Sequence, residues 1–221
     1  MTLDLIGVYG GTFDPIHLGH VQAASEVQRK LGMREVRMVL SATPPHRETP
    51  FLSAQKRFEL LQLALKENSS LIADDIELER SGSSYMVDTL RLMRHQLPTT
   101  AIALILGIEA FNHLQSWYEW QELIELAHIV VTDRASFGNE LNIELNAFVK
   151  KHETQELSQL KELTHGKIYR QNVTPFEVSA TQIRSDIQQG ISVADFLAPQ
   201  VWQKIEQLNL YGTKKLILNN N

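Results

Sequence analysis

Two histidines, His17 and His20, close a run that reads I-G-V-Y-G-G-T-F-D-P-I-H-L-G-H over residues 6–20. At three residues apart near a helix start, their imidazoles share one face. The unpaired backbone N–H groups and the positive dipole end of such a helix attract anions. Imidazoles added there suit phosphate chemistry. Gly10 and Gly11, just ahead, lack a Cβ, which predicts a sharp Gly-Gly turn and close approach of a ligand to the backbone. Far along the chain, Thr181 and Arg184 are again three apart, near the first turn of a predicted helix that Ser179 can cap. A cation there opposes the helix dipole. Its placement is understandable if an anion binds alongside; a plain surface arginine is the alternative. His46 and Arg47, in the loop T-P-P-H-R, and Arg134 each lie just past a predicted strand end, where open α/β sheets bind ligands. An exposed basic turn is the other reading of the His46–Arg47 pair.

Together His17, His20, Arg47, Arg134 and Arg184 suit a polyanion such as a nucleoside triphosphate. The chain has no G-x-x-x-x-G-K-[ST] loop and no G-x-G-x-x-G fingerprint, which excludes a P-loop and a dinucleotide-binding turn of the usual kind. If the attacking group is itself a phosphate, it is ionised at neutral pH and needs no general base. The catalyst must then align two anions and stabilise the leaving group. Mg²⁺ is expected to arrive with the phosphates rather than in a protein cage. The histidine pair could instead bind a transition metal, but no third ligand has suitable spacing. The segment S-W-Y-E-W, with Trp117, Tyr118 and Trp120, could stack on a flat ring or simply pack a helix.

These residues need elements to hold them. Apolar runs predict strands at 3–9, 36–40, within 71–79, and at 101–106, 128–132 and 167–169. Helical patterns fall at 18–31, stopped by Gly32, at 54–67, capped by Ser53, and at 85–96, followed by Pro98. A further helix runs from Ser179 to Gly190, and a last one starts within 192–195 and includes Trp202, Ile205 and Leu208. The stripe Phe58, Leu61, Leu65 is core, and Arg57 lies off it, facing a ligand or solvent. Alternating strand and helix predicts an α/β fold: a Rossmann-like, doubly wound, mainly parallel sheet with helices on both faces. One domain is expected over residues 1–212, with 135–164 as a peripheral insertion and 213–221 as a frayed tail.

Composition narrows the class. A net charge of −5 over 221 residues argues against broad nucleic-acid or acidic-membrane binding, so any phosphate site is a local cluster of cations. The absence of cysteine excludes disulfides, thiolate metal sites and thiol nucleophiles. Without a signal-peptide pattern or an apolar run near ~20 residues, the expectation is a soluble cytoplasmic protein.

The motifs resemble the nucleotidylyltransferase superfamily, whose signatures are a T/H-x-G-H tetrad after the first strand and a later S-x-T-x-x-R. Here these are His17-Leu18-Gly19-His20 and Ser179 to Arg184. Within it the chain is similar to the bacterial nicotinate-nucleotide adenylyltransferases, through G-G-T-F-D-P-I-H-L-G-H, P-P-H-R, S-Y-x-x-D-T-L at 84–90, W-Y-E-W at 117–120 and G-K-I-Y at 166–169. The resemblance implies transfer of AMP from ATP to nicotinate mononucleotide, giving nicotinate adenine dinucleotide and pyrophosphate on the way to NAD. It implies that His17, His20 and Arg184 hold the triphosphate and that His20 stabilises the transferring phosphoryl group. Thr12 and Phe13 would give backbone contacts, with Gly10, Gly11, Ser179 and Thr181 alongside. His46, Arg47 and Arg134 would lie near phosphates, and Tyr85, Glu109, Trp117 and Tyr118 would border the mononucleotide. Met86 stands where the family often has threonine, and Glu109 where it often has aspartate. Rival readings are transfer to another acceptor, nicotinamide mononucleotide or phosphopantetheine, and an ATP-binding protein without catalysis.

Overall fold

The computed structural model describes residues 2–45, 49–133 and 142–213. The chain begins with β1 (Leu5–Gly11), α1 (Leu18–Leu31), β2 (Glu35–Leu40), α2 (Ala54–Leu65) and β3 (Leu71–Asp74). There follow α3 (Met86–Gln96), β4 (Ala101–Gly107), the short α4 (Ile108–Asn112), α5 (Leu123–Leu126) and β5 (His128–Asp133). The last part holds α6 (Ile143–His152), β6 (Glu153–Thr154), α7 (Gln159–Glu162), β7 (Ile168–Asn172), α8 (Ala180–Gln189) and α9 (Pro199–Gln207).

The seven strands lie in the order β3-β2-β1-β4-β5-β7-β6, and every pairing is parallel. The chain therefore winds outward from β1 to β3, then returns to the middle and winds the other way from β4. The strand order reverses between β1 and β4, and the crevice beyond their C-terminal ends is where such sheets take ligands.

The core explains why β4 reads as apolar throughout. Its alternate residues serve different faces: Ala101, Ala103 and Ile105 join a cluster with α1, α2, α8 and α9, while Ile102, Leu104 and Leu106 join one with α3, α5 and α6. Each large side chain so buried contributes roughly 1.5–3 kcal/mol. The α1 boundaries match the sequence pattern, and Gly32 takes the left-handed conformation (φ 56°) that ends the helix. Two buried or half-buried arginines tie loops by their carbonyls. Arg94 donates to the carbonyls of Leu97, Thr100, Leu126 and Thr164 below the sheet. Arg57 does the same above it.

Some expectations change. β1 runs straight through Gly10 and Gly11, so there is no Gly-Gly turn; the reversal comes at Phe13, whose φ is 48°. The last helix starts at Pro199 rather than within 192–195, where only a 3₁₀ turn forms, because proline fits the first helical position. Of the segment read as a peripheral insertion, the described part supplies edge strand β6 and the buried apolar side chains Leu145, Val149 and Leu160. It is thus built into the domain's core. Thr213, read as the start of the tail, is buried, and its hydroxyl lies 2.9 Å from Asn209 Oδ1. Residues 214–221 lie outside the described residues.

Candidate active site

A cleft of about 1440 Å³ opens at the C-terminal ends of β1 and β4. Its walls come from segments distant in sequence: Tyr9 to Asp14 at the end of β1 and just beyond it, the start of α1, Tyr85 and Met86 at α3, Ile105 to Ala110 with Asn112 and His113 around α4, Trp117 and Tyr118, and the start of α8. Gly10, Gly11, Thr12, Phe13, His17, His20, Ser179, Thr181, Arg184, Tyr85, Glu109, Trp117 and Tyr118 all line it. His46, Arg47 and Arg134 lie outside the described residues.

His17 is the N-cap of α1 and His20 sits one turn in. Their rings stack with centroids 3.6 Å apart. His20 Nδ1 accepts the His17 backbone N–H at 3.3 Å, which leaves the proton of the neutral ring on Nε2. Phe13 and Tyr9 meet the His20 ring edge-on and hold its plane. His17 is buried, and desolvation pushes its pKa down to about 4, so it is neutral near pH 7. Its Nδ1 has no hydrogen-bond partner among the described residues, which is costly unless something binds. Gly19 fits tightly between them: a Cβ there would lie 3.1 Å from both the His17 ring and Val178, and these neighbours would have to give by a few tenths of an ångström.

Arg184 reaches the same cleft from the second turn of α8, whose N-cap Ser179 accepts the Gln182 N–H. Its Nη1 donates to the Asp14 carbonyl at 2.7 Å and its Nη2 to Thr181 Oγ1 at 3.2 Å. The guanidinium also lies 4.8 Å from the centroid of the Phe51 ring. A guanidinium has five donors, more than these two bonds use. The cationic end of the cleft thus combines one arginine, an imidazole donor and the first turn of α1.

Another part of the cleft wall is aromatic and acidic. Tyr85, the N-cap of α3, packs on Tyr118 with ring centroids 4.6 Å apart, and Trp117 and the exposed Glu109 stand beside them. The aromatic run divides its work: Trp117 and Tyr118 line the cleft, whereas Trp120 packs edge-on against Phe148. Met86 closes the floor, with its Cε methyl 2.5 Å from where a Gly10 Cβ would be.

Sequence reasoning missed several residues. Arg57, expected to face ligand or solvent, is 1% exposed. It donates to the carbonyls of Leu52, Thr12, Ser41 and Ala42, and so fixes the loops after β1 and β2 relative to each other. Asp14 is a second hub. Its carboxylate accepts the Phe51 N–H at 2.6 Å and the Tyr211 hydroxyl at 2.7 Å, while its carbonyl holds Arg184. Thr132 lines the cleft from the end of β5. The F-D-P triplet and the strand-end position were the available signals for Asp14 and Thr132; Arg57 had none, because its acceptors come from loops that only the fold assembles.

The cytidylyltransferase-like family profile matches residues 8–186. A probable nicotinate-nucleotide adenylyltransferase of Aeromonas hydrophila is 39% identical over 93% of this chain and 96% of its own length. The chain belongs to the nicotinate-nucleotide adenylyltransferase family. A second member of this family, from Halorhodospira halophila, is 39% identical over 97% of this chain and 98% of its own. Among solved structures, the Plasmodium falciparum nicotinic acid mononucleotide adenylyltransferase complexed with NaAD superposes with a TM-score of 0.73. It covers 96% of this chain and 98% of its own at 16% identity, so it speaks for the shared fold. Residues of the H-x-G-H tetrad and of the S-x-T-x-x-R segment line one cleft here.

Proposed function

We propose that the chain transfers AMP from ATP to nicotinate mononucleotide, releasing pyrophosphate and nicotinate adenine dinucleotide. One observation carries this reading: His17, His20 and Arg184, up to 167 residues apart in the sequence, line one cleft together with the aromatic side chains Tyr85, Trp117 and Tyr118. A triphosphate fits the cationic end. The pyridine ring of the acceptor, a cation once joined to ribose, fits between Trp117 and Tyr118, where aromatic faces attract positive charge. Its glycosidic ribose would lie toward Glu109.

The reaction follows from this placement. An oxygen of the acceptor's 5′-phosphate attacks the α-phosphorus of ATP in line with the bridging oxygen to the β-phosphate. The new P–O bond forms as the old one breaks, and pyrophosphate leaves with the bonding pair. The nucleophile is already ionised, so no covalent enzyme intermediate and no general base are needed. The protein supplies alignment and charge stabilisation. His20 donates from Nε2 to the transferring phosphoryl group. The neutral His17 and the first-turn N–H groups of α1 hold triphosphate oxygens, and Arg184 neutralises charge on the departing pyrophosphate. Thr12 and Phe13 contribute backbone contacts, and Ser179 and Thr181 shape the arginine's turn. Among the described residues no three His, Asp or Glu side chains gather as a metal cage. Mg²⁺ would enter on the phosphates, whose charge it partly neutralises. No helix among the described residues is long and apolar enough to cross a membrane; the reaction proposed here is that of a cytoplasmic enzyme acting on small nucleotides.

The test is pyrophosphate release from purified protein with ATP and Mg²⁺, comparing nicotinate mononucleotide, nicotinamide mononucleotide and phosphopantetheine at equal concentrations. Nicotinate mononucleotide is expected to give the highest kcat/KM. A preference for phosphopantetheine, or no turnover with any acceptor, would overturn the reading.

A further inference from the structure

The aromatic end of the cleft is made by two separate pieces of chain, and one exposed ion-pair cluster joins them. Tyr85 caps α3, whereas Tyr118 belongs to the irregular segment between α4 and α5. Between Tyr118 and Trp120 the backbone turns at Glu119, which takes φ 49°, an uncommon conformation for a residue with a side chain. From α3, Arg91 donates to Glu119 and to Glu122 across the gap, and to Asp88 on its own helix at 2.9 Å. The Nε bond to Glu122 is 2.8 Å and the Nη2 bond to Glu119 is 2.5 Å. Arg80 adds a looser pair to Asp88 at 3.8 Å. The Tyr118 hydroxyl also hydrogen-bonds the Glu119 carboxylate, which raises its pKa.

From this arrangement we infer that Arg91 is a positioning residue for the acceptor nucleotide, holding the 117–122 segment against α3 so that Tyr118 stays on Tyr85 and the ring wall keeps its shape. The inference rests on the proposed placement of the pyridine ring at that wall. Arg91 itself is not among the residues that line the cleft. All four members are more than a third exposed, with side-chain exposures of 39, 36, 39 and 37% for Arg91, Asp88, Glu119 and Glu122. Exposed ion pairs add little to global stability. What the cluster fixes is where one strained turn sits. A guanidinium suits the task because its planar fork reaches two carboxylates on the far segment at once, which an ammonium on a flexible stem does less well. The cationic end of the cleft, built on α1 and α8, has no part in the cluster.

Arg91→Met and Arg91→Lys test this, with steady-state kinetics in each substrate and thermal melts. Arg91→Met is expected to raise KM for nicotinate mononucleotide roughly tenfold, a loss on the scale of one well-placed side chain's ordering cost. KM for ATP should stay within about twofold and Tm within about 4 °C of wild type. Arg91→Lys should recover part of the loss. In the double variant Arg91→Met with Glu119→Gln, the two effects should fail to add. An unchanged acceptor KM in Arg91→Met, with the wild type active, would overturn the clamp and leave the assigned reaction standing. Equal rises in both KM values would also overturn it, because that marks a general structural role. A wild type that releases no pyrophosphate with nicotinate mononucleotide would sink the reading of the wall and the clamp with it.

Discussion

His20 shows how one residue's surroundings set its task. Its Nδ1 is occupied by the backbone N–H of the helix cap, so the ring has one tautomer while neutral, with the proton on Nε2. Rings of Tyr9, Phe13 and His17 hold its orientation. A donor fixed before substrate arrives stabilises developing charge without reorganising. Replacing His20 by alanine should lower kcat on the order of 10²–10³-fold with a much smaller change in KM for ATP, as for other single fixed donors. Circular dichroism and the melt should remain those of a folded protein. An unchanged kcat would remove His20 from the chemistry. The pairing of His17 with His20 was legible from spacing alone, since the helix start brings residues three apart together. Arg184's partnership with them was suggested by its place near another helix start and strengthened by the likeness of two motifs, because nothing local links positions so far apart.

At the scale of elements, periodicity was a sound guide where one element's own residues decide its form. The helix at Leu18–Leu31 and the strand after Pro98 follow from their apolar spacing, the stop at Gly32 and the continuous run in β4. It failed where other elements decide. Gly10 and Gly11 look like a turn, but β1 pairs with β2 through both of them, and the ladder keeps them extended. Their lack of side chains serves close contact instead: a Cβ on Gly11 would fall 2.5 Å from the Phe13 ring. The two-residue strand β6 is too short to carry a period, and it exists because β7 offers an edge. Arg57 falls off its helix's apolar stripe, yet it is buried, since a guanidinium with four carbonyl acceptors no longer needs water. The aromatic run near residue 118 was readable as either ring-stacking or packing; the fold lines the cleft with Trp117 and Tyr118 and packs Trp120 on Phe148.

The whole molecule carries the cost of holding imidazoles away from water. Burial pushes the pKa values of His17 and His128 down to about 4, from an unfolded value near 6.5. His128 lies in β5, where its Nδ1 accepts the Lys167 N–H and its Nε2 bonds the Leu163 carbonyl. Because the unfolded chain takes up protons that the native state refuses, stability is full above about pH 6.5 and is lost as pH falls toward 4. Each histidine contributes a slope of about 1.4 kcal/mol per pH unit in that window. Urea unfolding of His128→Gln between pH 6 and 5 should give a slope shallower than wild type by about that amount. Parallel curves would show that His128 titrates alike in both states.

The central claim is that the cleft lets one substrate's phosphate attack the other directly, with the protein holding both and bonding to neither. Stereochemistry at the α-phosphorus tests this most directly. With ATP made chiral at that phosphorus by sulfur substitution and nicotinate mononucleotide as acceptor, a single in-line displacement must give a dinucleotide of inverted configuration. Retention would mean two successive displacements through a bond between AMP and the enzyme, and would contradict the account.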